Sequence, residues 1–195
     1  MFVKICGLTT ASAVRAAVEG GADAVGFVFA DSPRRVSPEA AHALCEELPP
    51  EIIRVAVMRH PSQAEWARVR DCFHPDWLQT DADDFAGLSL DACMGLRVYR
   101  DPRSQPACSW PSPMLFEGAE SGSGRTADWT AAAAIASRTD LILAGGLDPQ
   151  NVGEAIAAVD PWGVDVSSGV ESSRGRKDPA RIIDFIARAR AAEKY

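Results

Sequence analysis

Nowhere in the 195 residues does a run of 18 apolar side chains occur, so no membrane-spanning helix is expected. The closest approach, Thr130–Ser137, is short and rich in alanine. The five cysteines, Cys6, Cys45, Cys72, Cys93 and Cys108, are odd in number, scattered and never spaced as CxxC. Neither a disulfide framework nor a zinc site is indicated. Clustered basic residues are also missing. Twenty Lys and Arg against 27 Asp and Glu leave a net charge of −7, which argues against nucleic acid as a partner. Met1–Gly7 carries a lone lysine and a strand-like run rather than the pattern of a secretory leader, so a reducing, cytoplasmic setting is expected. No repeat of fixed period and no low-complexity tail is visible.

What is present is an alternation. Short apolar runs predict strands at Phe2–Cys6, Ala24–Phe29, Ile53–Met58, Trp77–Thr80, Leu96–Arg100, Met114–Glu117, Leu141–Ala144 and Gly163–Val166. Between them, helical periodicity covers Ala11–Glu19, stopped by Gly20-Gly21. A second helix should run from Pro38, behind a Ser37 cap, to about Leu48. Further helices are expected over Ser62–Cys72, Asp83–Cys93, an Ala-rich segment opened by Asp128, the segment after Asp148-Pro149, and a last segment capped by Asp178 before Pro179. Asp101–Pro113 holds four prolines, so a loop should replace the fifth helix. Strands separated by helices imply parallel βαβ units with right-handed crossovers. Eight of them fit one α/β domain over residues 1–195, a closed (β/α)8 TIM barrel near the lower size limit of that fold. An open doubly wound sheet is the alternative, because periodicity does not reveal closure.

In a closed barrel the chemistry sits on the loops after the strands. After the seventh and eighth strands, Gly145-Gly146 allows close backbone approach, and Ser167-Ser168-Gly169 offers hydroxyls and N–H groups. A short helical turn at Gly169–Ser172 would aim its positive end at the same place. The pair reads as a phosphate site, although glycine and serine also favour plain turns. Lys4 and Cys6 share strand parity and should both point inward. A buried ammonium needs a partner, and Asp165, which shares parity with Ser167 on the strand that would close against the first, should supply it directly or through one water.

Several segments together resemble the phosphoribosylanthranilate isomerase family. They are Val3-Lys4-Ile5-Cys6-Gly7-Leu8-Thr9, Gly21–Phe29, Ser32-Pro33-Arg34 with Val36-Ser37-Pro38, Leu143-Ala144-Gly145-Gly146-Leu147 with Pro149 and Asn151-Val152, and Gly163–Glu171. The resemblance runs from the first strand to the final helix and is thinner between Arg59 and Glu120. It implies a TIM barrel carrying out an Amadori rearrangement in tryptophan biosynthesis, without cofactor or metal, on a small phosphorylated substrate, as a monomer or homodimer. It also implies Cys6 as general base at the end of the first strand and Arg34 as holder of the anthranilate carboxylate. The general acid, an Asp after the sixth strand, is matched to Asp128 in Arg125-Thr126-Ala127-Asp128-Trp129. The remaining substrate contacts fall to Gly145, Gly146, Asp165, Ser167, Ser168 and Gly169.

Each assignment has a plainer competitor. Free cysteine is commonly an interior residue. Asp128 stands where a helix N-cap belongs, and Arg34, like Arg35, could be a solvated charge. His42, His60 and His74 are expected to play no catalytic part. Gly122-Ser123-Gly124-Arg125-Thr126 reads as a loop that carries Asp128 toward substrate. The chain also departs from the family pattern. Its fourth strand ends Gln79-Thr80-Asp81, with Asp81 where the family has His, and its sixth ends Phe116-Glu117 where the family has Leu-Asp. Two rival functions follow: the related isomerase of histidine biosynthesis, which Cys6 disfavours, and a non-catalytic phosphate-ligand-binding barrel.

Overall fold

The computed structural model describes residues 1–100, 109–118 and 128–193. Among these, the chain runs β1 (Phe2–Cys6), α1 (Ala11–Gly20), β2 (Ala24–Val28), α2 (Pro38–Leu44), β3 (Ile53–Val57), α3 (Gln63–Phe73), β4 (Trp77–Asp81), β5 (Met94–Tyr99) and β6 (Met114–Phe116). It continues through α4 (Trp129–Ala136), β7 (Leu141–Leu143), α5 (Val152–Val159), β8 (Gly163–Val166), β9 (Glu171–Ser173), β10 (Arg176–Lys177) and α6 (Pro179–Ala191). Strands β1 to β8 are parallel to their neighbours in chain order and form a closed barrel. Closure is made by β8 on β1, with Phe2 opposite Gly163 and Lys4 opposite Asp165. The open sheet is thereby excluded.

The strands are apolar on both faces because both faces are covered. Phe2, Ala24, Val55, Leu96, Leu115 and Ile142 meet inside the barrel, while their chain neighbours, such as Val3, Ile5, Val25 and Phe27, pack outward against the helices. At the N-terminal end of the barrel Phe2 stacks between Trp77 and Trp162, at centroid distances of 5.6 and 4.6 Å. That end is plugged, so the open end with the loops is left for a ligand.

Local chemistry sets the boundaries. Thr10, Ser37, Ser62, Asp128 and Asp178 cap α1, α2, α3, α4 and α6 through side-chain oxygens, and Ser62 with Glu65 forms a full capping box. Gly21, at φ 86°, ends α1 in the left-handed conformation. Helix α2 stops at Leu44, short of the expected Leu48. Pro49 disfavours a helical Leu48, and Glu46-Glu47 would load negative charge onto the negative end of the helix dipole. The helix expected over Asp83–Cys93 is only a 3-10 turn at Ala82–Gly87, broken by Gly87 and the extended Leu88. The turn expected at Gly169–Ser172 is a 3-10 turn at Ser168–Val170, followed by a hairpin of β9 and β10 that the periodicity does not predict. Of the proline-rich stretch, residues 101–108 lie outside the described part, as does all of Gly122–Thr126; residues 109–113 carry no regular element. No helix among the described residues is long and apolar enough to cross a membrane.

Candidate active site

A cavity of about 220 Å³ opens at the C-terminal ends of the strands. Cys6, the last residue of β1, forms part of its lining and is 6% exposed. Gly26 of β2 lies opposite Cys6 in the register. A Cβ there would come within 3.2 Å of Cys6 Sγ and 3.3 Å of Lys4 Cε, so the missing side chain is what lets thiol and lysine lie together. Lys4 is fully buried, and its Nζ donates to Asp165 Oδ1 at 2.8 Å. The ion pair inferred from strand parity is therefore direct, with no water between. Burial lowers the Lys4 pKa, but the Asp165 carboxylate and the neighbouring Cys6 outweigh it, and the net displacement is upward. Burial also pushes the Cys6 thiol above the ordinary cysteine value. Lys4 pulls it down, Asp165 pushes it up, and Lys177 pulls it down again. The sum stays upward, so Lys4 limits the rise rather than bringing the thiol below its usual value.

The loops after β7 and β8 meet along one wall. Gly145 and Gly146 take φ values of 90° and 68°, a region open to glycine and costly to other residues. The Gly146 carbonyl accepts from Asn151 Nδ2 at 2.8 Å, and the Ser167 carbonyl accepts from Lys177 Nζ at 2.7 Å. In a trans peptide the next N–H points opposite to the carbonyl. Both side chains therefore turn an amide, Leu147 N–H in one loop and Ser168 N–H in the other, away from themselves. Among the described residues neither amide donates to a protein acceptor. Gly169 joins the loops by close approach: a Cβ on it would stand 1.9 Å from the Leu147 carbonyl oxygen. It does not line the cavity, whereas Gly145, Gly146, Ser167 and Ser168 do.

Arg34, after β2, reaches the same cavity while nearly buried. Its Nε and Nη2 donate to the two oxygens of Glu171 at 2.6 and 3.0 Å, and Nη1 makes no hydrogen bond among the described residues. Glu171 also accepts from Lys177 Nζ at 3.0 Å and from Gly175 N–H at 3.0 Å. Burial raises its pKa, but the Arg34 hydrogen bond, the Gly175 amide and Lys177 overcome this and hold it below the usual carboxylate value. Burial lowers Lys177 in spite of Glu171 and Cys6. Neither Glu171 nor Lys177 emerges from sequence reasoning as a site residue. Arg174-Gly175-Arg176-Lys177 has the look of a solvated turn, and only the glycine hints that the chain folds back.

The ends of β4, β5 and β6 form the opposite wall. Arg100 contacts Asp81 and lies 2.7 Å from Glu117 Oε1. Two of this chain's departures, Asp81 and Glu117, thus bracket a guanidinium. Gln79 is buried in this wall, and its Oε1 has no partner among the described residues. Asp128 is placed differently. Its carboxylate caps α4 by accepting from Ala131 N–H at 3.0 Å, it is exposed, and it lies outside the residues lining the cavity. None of the three histidines lines the cavity either.

A family model described as N-(5'phosphoribosyl)anthranilate (PRA) isomerase matches residues 3–188. An N-(5'-phosphoribosyl)anthranilate isomerase of Pseudomonas fluorescens is 41% identical over 195 residues, covering 94% of this chain and 95% of the relative. The phosphoribosyl anthranilate isomerase structure from Thermus thermophilus superposes with a TM-score of 0.84 at 30% identity, covering 99% of this chain and all of the other. A further isomerase structure, in complex with reduced 1-(o-carboxyphenylamino)-1-deoxyribulose 5-phosphate, gives 0.79 at 31% identity over 98% and 99% of the two chains. The family match extends from the first barrel strand into the last helix, and the chain belongs to the phosphoribosylanthranilate isomerase family.

Proposed function

We propose that Cys6 and Glu117 carry the proton transfers of the family's reaction, the conversion of N-(5-phosphoribosyl)anthranilate to 1-(2-carboxyphenylamino)-1-deoxyribulose 5-phosphate in tryptophan biosynthesis. A proton delivered to the ring oxygen lets the C1–O bond break as the nitrogen lone pair forms the Schiff base. A base then removes the C2 proton, the freed electrons make the C1=C2 bond, and the enolamine tautomerises to the aminoketose. One acid and one base suffice, and no redox step or cofactor is needed. The reading also takes the described barrel as the one catalytic domain, working in the cytoplasm.

The observation that carries the assignment is that a thiol on β1 and a carboxylate just after β6 line one cavity across the barrel mouth from each other. Glu117 is the residue that directly follows β6, and it replaces Asp128 as the candidate acid because Asp128 faces solvent and is engaged as a cap. The Leu147 and Ser168 amides hold the phosphate, and the Nη1 edge of Arg34 receives the anthranilate carboxylate. Gln79 offers an acceptor to a sugar hydroxyl. Asp165, its Oδ1 committed to Lys4, supports the floor of the site rather than binding substrate.

Two comparisons test this by following consumption of freshly generated phosphoribosylanthranilate. Glu117→Gln should lower turnover by at least about a hundredfold, the scale of general acid catalysis, whereas Asp128→Asn, which still caps a helix, should stay within a few-fold of the parent. The opposite ranking would return the acid role to Asp128. Gly169→Ala should force the two loops apart and abolish competitive inhibition by inorganic phosphate. An unchanged inhibition constant would show that the phosphate does not bind between them.

A further inference from the structure

The hairpin of β9 and β10 contributes no side chain to the cavity lining, yet it buries two opposite charges directly behind it. Glu171 and Lys177 are each only 7% exposed. Burying both ions has a desolvation cost that a single ion pair often fails to offset, so the pair is a poor device for stability alone. Its geometry has another consequence. One oxygen of Glu171, Oε1, accepts from both Arg34 Nε at 2.6 Å and Lys177 Nζ at 3.0 Å. Lys177 in turn donates to the Ser167 carbonyl at 2.7 Å and lies 3.2 Å from the Ser167 hydroxyl. The second oxygen, Oε2, completes the fork by accepting from Arg34 Nη2 and also accepts from the Gly175 amide that turns the hairpin. The two groups thus tied together stand close across Gly7. A Cβ on that residue would lie 2.7 Å from Arg34 Cδ and 3.1 Å from Ser167 Oγ.

We propose that Glu171 and Lys177 are positioning residues: Glu171 locks the Arg34 fork for the substrate carboxylate, and Lys177, held by Glu171, pins the Ser167 carbonyl so that the Ser168 amide faces the phosphate. The inference rests on the reading of the cavity given above, with carboxylate at Arg34 and phosphate at the β7 and β8 loops. Its content is that one buried carboxylate couples the two ends of substrate recognition. Arg34 without Glu171 would rotate about its long side chain. Without Lys177 the Ser167 carbonyl would keep only the long bond from Val170 N–H at 3.4 Å, leaving the Ser168 N–H poorly fixed toward the site. Both contacts act on parts of the substrate remote from C1 and C2. They therefore support ground state and transition state about equally, and their loss belongs in KM more than in kcat, apart from the shift of the pH profile to higher pH that loss of the Lys177 charge imposes through Cys6.

The test uses the intact chain, with inorganic phosphate and anthranilate as separate competitive inhibitors of turnover. Lys177→Met should weaken inhibition by phosphate at least about tenfold, the size of one lost charge-supported hydrogen bond, and change inhibition by anthranilate much less. Glu171→Gln should weaken both. In each case KM should rise by more than kcat falls, and Lys177→Arg, which keeps the charge and a donor, should recover part of the loss. A purely structural role would lower the melting temperature and leave KM and both inhibition constants of the folded enzyme at parental values; that result would overturn the proposal. If Lys177→Met does not fold, Lys177→Gln, which keeps a donor but no charge, carries the same comparison. Failure of phosphate to compete with substrate in the parent would instead overturn the reading of the cavity, and this inference with it. Competition in the parent with equal competition in both variants would remove only the positioning role.

Discussion

Cys6→Ser should turn over at least about a hundredfold more slowly than the parent while anthranilate and phosphate still inhibit at near-parental concentrations. The substitution keeps the side chain's size and place but exchanges a thiol for a hydroxyl whose anion is out of reach in water, so only the proton abstraction should suffer. Retention of most of the turnover would remove Cys6 from the mechanism. The pH profile provides a second, independent reading. The active form of the base is the thiolate, and burial holds the Cys6 pKa above its ordinary value against the pull of Lys4. The rate should therefore climb with pH through the neutral range and beyond instead of reaching a plateau near neutrality. Three charged neighbours bear on that limb: Lys4 and Lys177 lower the thiol's pKa, and Asp165 raises it. Removing Lys4 takes away the larger of the two lowering influences, so the climb should move to still higher pH.

Much of this was open to the sequence, and for a physical reason. Parallel strands covered on both faces must read as apolar runs, so eight of them are visible without knowing how they close. Strand parity turned Lys4 inward with Cys6, because side chains alternate strictly along a strand, and the expectation that the eighth strand closes on the first put Asp165 beside it. Closure itself left no trace in the periodicity; it became definite only with β8 paired to β1. The short elements were the least legible. Strands β9 and β10 have three and two residues, too few for any alternation to register, and their two buried charges resemble surface residues until the hairpin folds over them. Asp128 shows the opposite difficulty. An acidic residue ahead of an alanine-rich helix satisfies both a catalytic and a capping reading; the cap is observed, and the place of Asp128 outside the cavity lining is what favours Glu117 in the proposal. Glu117 was in plain view as a departure from the family's strand ending, but its place opposite Cys6 depends on barrel geometry rather than on sequence spacing.

Lys4→Met should be among the most destabilising single substitutions in the chain, by about 3–5 kcal/mol in denaturant unfolding, the usual cost of removing one member of a buried ion pair. Methionine fills the space well. The penalty comes from Asp165, which would be left in the wall of β8 at 7% exposure with its principal partner gone. The pH dependence distinguishes this cause from poor packing. Folding raises the Lys4 pKa above the ordinary lysine value, so the pair's contribution is complete below that value and disappears as pH rises through the raised one. The parent should thus lose stability relative to Lys4→Met in strongly alkaline solution, and the gap between them should narrow there. The double substitution Lys4→Met with Asp165→Leu supplies the remaining control. With both charges removed and the volume kept apolar, desolvation no longer opposes folding, and the double variant should recover most of the stability lost by Lys4→Met alone. If it were no more stable than Lys4→Met, the loss would trace to packing around β1, and the pair would not be what holds Lys4 beneath Cys6.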